Sequence, residues 1–213
     1  MKNEKPDLPN RNALYLGRSG AGKSQALKQN REIPASGARV VLFDPNCDHQ
    51  AHRYAERAAF ARALAAADAS GKGYRIAYTG AASPAVHEWW CECVMAVLDG
   101  NKPTFVIDEE IASSCTRAGT ADPSFRRLLN QGRKYGMRYH GTSQRPQEIP
   151  KTAYENCLVL WVGALKQHSA KYLARELGVA PEVIAGLENL EFFCLDETKA
   201  REPVRVKLKY KRG

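Results

Sequence analysis

Short, largely apolar runs alternate along this chain with longer stretches in which apolar residues recur every three or four positions. Ala13–Leu16, Ala38–Phe43, Tyr74–Tyr78, Thr104–Ile107, Met137–Thr142 and Cys157–Val162 have the length and apolar content of strands buried on both faces. Between them, helical spacing predicts helices over about Lys23–Asn30, Tyr54–Ala67, Pro84–Leu98, Phe125–Tyr135, Ser169–Leu177 and Pro181–Leu187. In the third of these, Val86, Trp89, Trp90, Cys93, Val94 and Val97 share the apolar stripe, so the tryptophan pair reads as core or interface. Phe192–Leu195 and Val204–Tyr210 predict a closing β-hairpin. Alternating strands and helices predict an α/β fold: a mostly parallel sheet, helices on both faces and an antiparallel C-terminal edge. Residues 1–11 read as a loose arm, 112–124 as a polar loop and 201–213 as a basic strand or tail, within a single domain spanning residues 1–213.

One junction between strand and helix carries chemistry. Gly17, Arg18, Ser19, Gly20, Ala21, Gly22, Lys23 and Ser24 follow the first strand and open the first helix, with the spacing of a P-loop. The glycines let backbone N–H groups turn inward around phosphates, and the helix N-terminus adds partial positive charge. Lys23 is expected to reach the β- and γ-phosphates, and the Ser24 hydroxyl to ligate Mg²⁺.

The strand TFVI runs straight into Asp108, Glu109 and Glu110. Acids at the C-terminal end of a parallel strand lie where open α/β sheets bind ligands. Asp108 is the expected Mg²⁺-shell acid and Glu109 the carboxylate that polarises the attacking water, with Glu110 as alternative. Gln144, just past the strand ending at Thr142, is placed to sense the γ-phosphate or orient water. Developing charge on the transferred phosphoryl group calls for a cation; Arg133 is the first candidate, and Arg126 and Arg127 on the same helix are next.

Composition narrows the partners. The net charge of +9 favours a polyanion, and the stretch from Arg201 to Gly213 holds six basic residues against Glu202. No apolar run is long enough to span a bilayer, and the polar start MKNEKPDLPN has no signal region, so neither stable membrane insertion nor export is expected and the cytoplasm is the expected compartment. The six cysteines form no CxxC pair and read as reduced thiols; Cys47, His49 and His52 match no common zinc spacing. No guanine-reading NKxD motif is present.

The order of P-loop, Asp44-Pro45, FVIDEE, Gly132-Arg133 and Ser143-Gln144-Arg145-Pro146 resembles the FtsK–HerA superfamily of ring-forming DNA-pumping ATPases. Within it the chain looks like the small genome-packaging ATPases of membrane-containing viruses with double jelly-roll capsids, such as tectiviruses. That resemblance implies a RecA-like additional-strand P-loop NTPase fold, ATP with Mg²⁺ as the cofactor pair, a homo-oligomeric, hexamer-like ring and double-stranded DNA as cargo. It also implies Gln144 as sensor, an arginine acting in trans, and association with a capsid vertex or virion. Arg117, Arg145 and Lys151 are candidates for the DNA channel. A Zot-like assembly or secretion ATPase, a conjugation-type motor, and a nucleotide switch or small-molecule kinase are the competing readings.

Overall fold

The computed structural model describes residues 2–116, 118–199 and 202–211. Strands β1 (Ala13–Leu16), β2 (Arg39–Phe43), β3 (His52–Tyr54), β4 (Tyr74–Tyr78), β5 (Thr104–Asp108), β6 (Met137–Ser143), β7 (Val159–Val162), β8 (Glu191–Asp196) and β9 (Val204–Lys207) join in one sheet. Their spatial order is β3-β4-β2-β5-β6-β1-β7-β8-β9. Pairing is parallel from β3 across to β7 and antiparallel for β7–β8 and β8–β9. Strand β6 lies between β1 and β5, so the strand that feeds the P-loop and the strand that ends in acids are separated by one additional strand.

Helices α1 (Lys23–Lys28), α2 (Arg57–Ala69), α3 (Pro84–Val97), α4 (Ile111–Ser114), α5 (Pro123–Gln131), α6 (Lys151–Asn156), α7 (Gln167–Leu177) and α8 (Pro181–Ala185) link the strands. Strands β1 and β2 are buried at every position because both of their faces are covered, and apart from Arg39 they are apolar throughout. In β1, Leu14 and Leu16 join the larger core with Trp90, Val94, Phe125 and Leu128, while Ala13 and Tyr15 join a smaller one with Ala26 and Leu27 of α1. Helix α3 starts cleanly because the Ser83 hydroxyl accepts the Val86 N–H at 3.3 Å and Pro84 occupies its first turn.

The departures from the predicted elements are short or polar. β3, α4 and α6 hold too few residues for a period to show, and the basic helix ends at Gln131, a 3₁₀ turn over Gly132–Tyr135 following it. Residues 2–11 are not loose: the Asn3 N–H donates to Asp99 O at 2.7 Å and the Lys5 N–H to Lys134 O at 2.8 Å, which fastens the segment along the N-terminal edge of the sheet. Past β9 the chain is also fastened. Leu208 N–H donates to Leu190 O at 2.8 Å, and Gln25 of α1 makes two hydrogen bonds with the Lys211 backbone, each 3.0 Å. The C-terminal segment is thus a strap on the P-loop helix. Two of its cations are spent on acids, Arg205 on Glu191 at 3.0 Å and Lys207 on Glu188 at 2.7 Å. Arg117, Arg201 and Arg212 lie outside the described residues.

Candidate nucleotide site

The P-loop, Asp44, the Glu109–Glu110 pair and Gln144 follow β1, β2, β5 and β6, so parallel pairing brings them to one edge of the sheet. The loop is tethered on both sides: Gly17 N–H donates to Ser143 O at 3.1 Å and Arg18 N–H to Ala164 O at 2.7 Å. Gly20 and Gly22 have φ of 78° and 98°, a left-handed region that costs an L-residue about 1–2 kcal/mol. At Gly22 a Cβ would also stand 2.6 Å from Leu190 Cδ2, so side chains are excluded there for two reasons.

Ser19, Gly20, Gly22, Lys23 and Ser24 line a cavity of about 640 Å³ together with Asp48, Glu109, Glu110 and Gln144. This volume falls within the range of about 300–1,000 Å³ usual for small-ligand sites. Lys23 lies folded over its own loop, Nζ donating to Gly17 O at 3.0 Å and standing 3.8 Å from Glu110 Oε1. Burial lowers its pKa, and Glu110, Glu109 and Asp48 restore only part of the loss.

Glu109 is 3% exposed on its side chain and held at both oxygens. His49 Nε2 is 2.5 Å from Oε1, and the Thr142 hydroxyl donates to Oε2 at 2.5 Å. Burial pushes the carboxyl up, but the His49 and Thr142 bonds, with the charges of His49 and Lys23, more than offset it and leave the pKa below the ordinary glutamate value. Thr142 also accepts the Glu110 N–H at 3.1 Å, so one hydroxyl fixes both acids. Glu110 has φ 55°, left-handed without being glycine, and its Oε1 accepts from Gln144 Nε2 at 2.8 Å. Strain of this kind, about 1–3 kcal/mol, persists where neighbours over-determine the backbone.

Asp108 is the correction to the sequence reading of the metal shell. It is the last residue of β5, and the pleat turns it to the face opposite Glu109. Its carboxylate is fully buried against α3 and β6, 2.9 Å from His87 Nε2 and accepting the Tyr139 hydroxyl at 2.7 Å. Of the three acids at the end of β5, Glu109 and Glu110 are the ones that face the P-loop.

The arginines sort differently from expectation. Parallel β1 and β6 carry the P-loop at one end and Gly132–Tyr135 at the other, so Arg133 lies at the edge away from its own P-loop. Its guanidinium donates to Pro6 O at 2.6 Å and to Leu8 O. Arg126 and Arg127 on α5 are exposed and make no side-chain hydrogen bond among the described residues. Arg145 pairs with Glu148 at 3.0 Å, and Lys151 is exposed.

Sequence reasoning missed His49 and Thr142. Asp44 organises the loop that delivers His49: its carboxylate accepts the N–H groups of Asp48 at 2.9 Å and His49 at 3.0 Å. The available signal was Asp44-Pro45 at a strand end, an Asx-type loop start.

A glycine cradle at a helix start, with acids and an amide at the ends of the neighbouring strands and one strand inserted between, defines a P-loop NTPase fold of the additional-strand type. No protein-family model matches the sequence. The chain is 32% identical over 204 residues to Protein P9 of Pseudoalteromonas phage PM2, the match covering 92% of this chain and 91% of that protein, and it belongs to that protein's family. Its structure resembles the genome packaging NTPase B204 from Sulfolobus turreted icosahedral virus 2 bound to AMPPCP (TM-score 0.75, 15% identity, 95% of this chain and 100% of that one). It also resembles VirB4 of Thermoanaerobacter pseudethanolicus (TM-score 0.64, 11% identity, 98% and 92% covered) and the bacterial conjugative coupling protein TrwB (TM-score 0.62, 13% identity, 98% and 87% covered). No helix of the described residues is long and apolar enough to cross a membrane.

Proposed function

We propose that this chain is a Mg²⁺-dependent ATPase domain that drives double-stranded DNA into a preformed viral capsid, acting as a homo-oligomeric ring. The observation that carries the reading is the single cavity in which Lys23, Ser24, Glu109, Glu110 and Gln144 converge. Its likeness to the genome packaging NTPase supports the choice of packaging among nucleotide-driven functions. The matches to VirB4 and TrwB keep a conjugation- or secretion-type motor as the second reading.

The residues support ATP and Mg²⁺ on chemical grounds. Backbone N–H groups of residues 17–24 and Lys23 suit phosphates, and Lys23 exchanges the Gly17 carbonyl for a phosphate oxygen. Ser24 and the cavity carboxylates are hard oxygen donors of the kind Mg²⁺ takes. We assign Ser24 and Glu109 to the Mg²⁺ shell, since Glu109 is clamped and ionised; the ion, when bound, neutralises phosphate charge. Glu110 then takes the water-polarising role first expected of Glu109. It is 23% exposed, so water can reach it, and Gln144 holds its carboxylate. Arg133 cannot serve its own site and acts, if released from the N-terminal segment, on a neighbouring subunit; Arg126 and Arg127 need no release. Arg145, Lys151 and Arg117 remain the proposed DNA contacts, with capsid vertex proteins as the proposed docking partners.

Mg²⁺–ATP hydrolysis, measured with and without long duplex DNA at two protein concentrations and low salt, tests the proposal. The expected result is stimulation by DNA that steepens with protein concentration. Hydrolysis indifferent to both overturns the ring-motor reading.

A further inference from the structure

The cavity that holds the P-loop has one wall the phosphate chemistry does not use. It is made by Asn189, Leu190 and Tyr210, from the turn before β8 and from the strap after β9. Leu190 is seated against the P-loop: its N–H donates to Ala21 O at 3.0 Å, and its φ of 66° places it in the left-handed region. Tyr210 is 69% exposed and is the one aromatic residue lining this cavity among the described residues. A lone exposed aromatic is ordinary and by itself argues nothing. What distinguishes Tyr210 is how firmly its backbone is held. Gln29 Nε2 donates to Lys209 O at 2.9 Å, and Gln25 bonds both the N–H and the carbonyl of Lys211 at 3.0 Å each. Both neighbours of Tyr210 are therefore fastened to α1 or to the residue that caps its C-terminus, Gln29; α1 is the helix that opens at the phosphate cradle.

We propose that Tyr210, backed by Leu190, is the base-stacking wall of the nucleotide site, and that the strap exists to carry it there. The inference rests on the nucleotide-site reading above and extends it to the half of the ligand the P-loop does not touch. With the triphosphate held by residues 17–24, the nucleoside must leave the cradle along a cavity otherwise lined by polar and charged groups. A planar base finds a flat apolar partner there only on the Tyr210 ring. Stacking has no donor–acceptor code, so this wall favours purines over pyrimidines by area and separates adenine from guanine weakly.

Calorimetric titration of the full chain with ADP and, separately, with inorganic tripolyphosphate tests this. Tyr210→Ala is expected to weaken ADP binding by roughly 5- to 100-fold, the range of one base–aromatic stack, and to leave tripolyphosphate binding unchanged. Tyr210→Phe keeps the ring and is expected to bind ADP as the parent does. Unchanged ADP affinity in Tyr210→Ala overturns the inference, as does an equal loss for both ligands, which would mark a merely structural role. A parent chain that binds tripolyphosphate but gains nothing from the nucleoside overturns the stacking wall alone. A parent chain that binds neither ligand overturns the nucleotide-site reading together with it.

Discussion

Two carboxylates adjacent in sequence at the end of β5 live in opposite environments. Asp108 is buried and bonded to His87 and Tyr139, whose rings pack against Trp90 and Phe125. Glu109 faces the P-loop cavity, clamped by a histidine and a threonine that leave it ionised. One residue of pleat separates an acid that holds the fold from an acid placed for chemistry. The lesson is that a strand ending in three acids does not announce which of them is functional; the face each one takes decides it.

The largest expected effect on the cavity side comes from Lys23→Ala. It removes the only charged side chain of the P-loop that lines the cavity, and turnover is expected to fall on the order of 10²–10³-fold, as for other preorganised charge contacts. Steady-state hydrolysis checks this, and retention of a tenth of parental turnover would place phosphate recognition elsewhere.

The opposite face is expected to answer in stability. Asp108→Ala leaves the His87 imidazole and the Tyr139 hydroxyl buried without their partner, and the cost is expected at about 3–5 kcal/mol. Denaturant titration reads this directly. A loss below about 1 kcal/mol would mean that Asp108 is not a structural acid.

A smaller effect is expected where the two roles meet, at His49. Removing it takes away a charge-assisted hydrogen bond from Glu109, about 2 kcal/mol at neutral pH. Because the folded pKa of Glu109 is depressed, its contribution is fully present above the unfolded value of 4.5 and is lost as pH falls through the lower folded value. In His49→Ala the folded value rises, so the stability gap from the parent is expected to be widest at neutral pH and to close as pH falls through the parent's depressed folded value. Melting temperatures across that range decide; a gap that widens toward acid contradicts the clamp.

The smallest expected effect is at the far edge. Arg133→Ala gives up two bonds to the N-terminal segment, on the order of 1 kcal/mol, and leaves nucleotide affinity unchanged. Turnover should fall only in assembled protein. Mixing Arg133→Ala with Lys23→Ala subunits should restore activity above the sum of the two alone, and strict additivity would remove Arg133 from any shared site.

Much of the fold was legible because the central strands are covered on both faces and so read as continuous apolar runs. The P-loop was legible because its chemistry is local: glycines, a lysine and a serine within eight residues. What could not be read depends on contacts between distant segments. His49 reaches Glu109 across 60 residues, and Arg133 reaches Leu8 across 125. Nothing in the composition of residues 2–11 or 202–211 marks them as fastened, since the bonds that hold them run largely through the backbone. The face that Asp108 takes was hidden for a related reason. A sequence shows where a strand ends only to within a residue or two, and a shift of one residue exchanges the faces.

Hydrolysis of Mg²⁺–ATP by Asp108→Asn and Glu110→Gln in one assay, at a temperature where both are folded, tests the division most directly. The account predicts that Asp108→Asn stays within a few-fold of the parent while Glu110→Gln is slower on the order of 10²-fold or more, with nucleotide still bound. The reverse order, an inactive Asp108→Asn and a fully active Glu110→Gln, would contradict it.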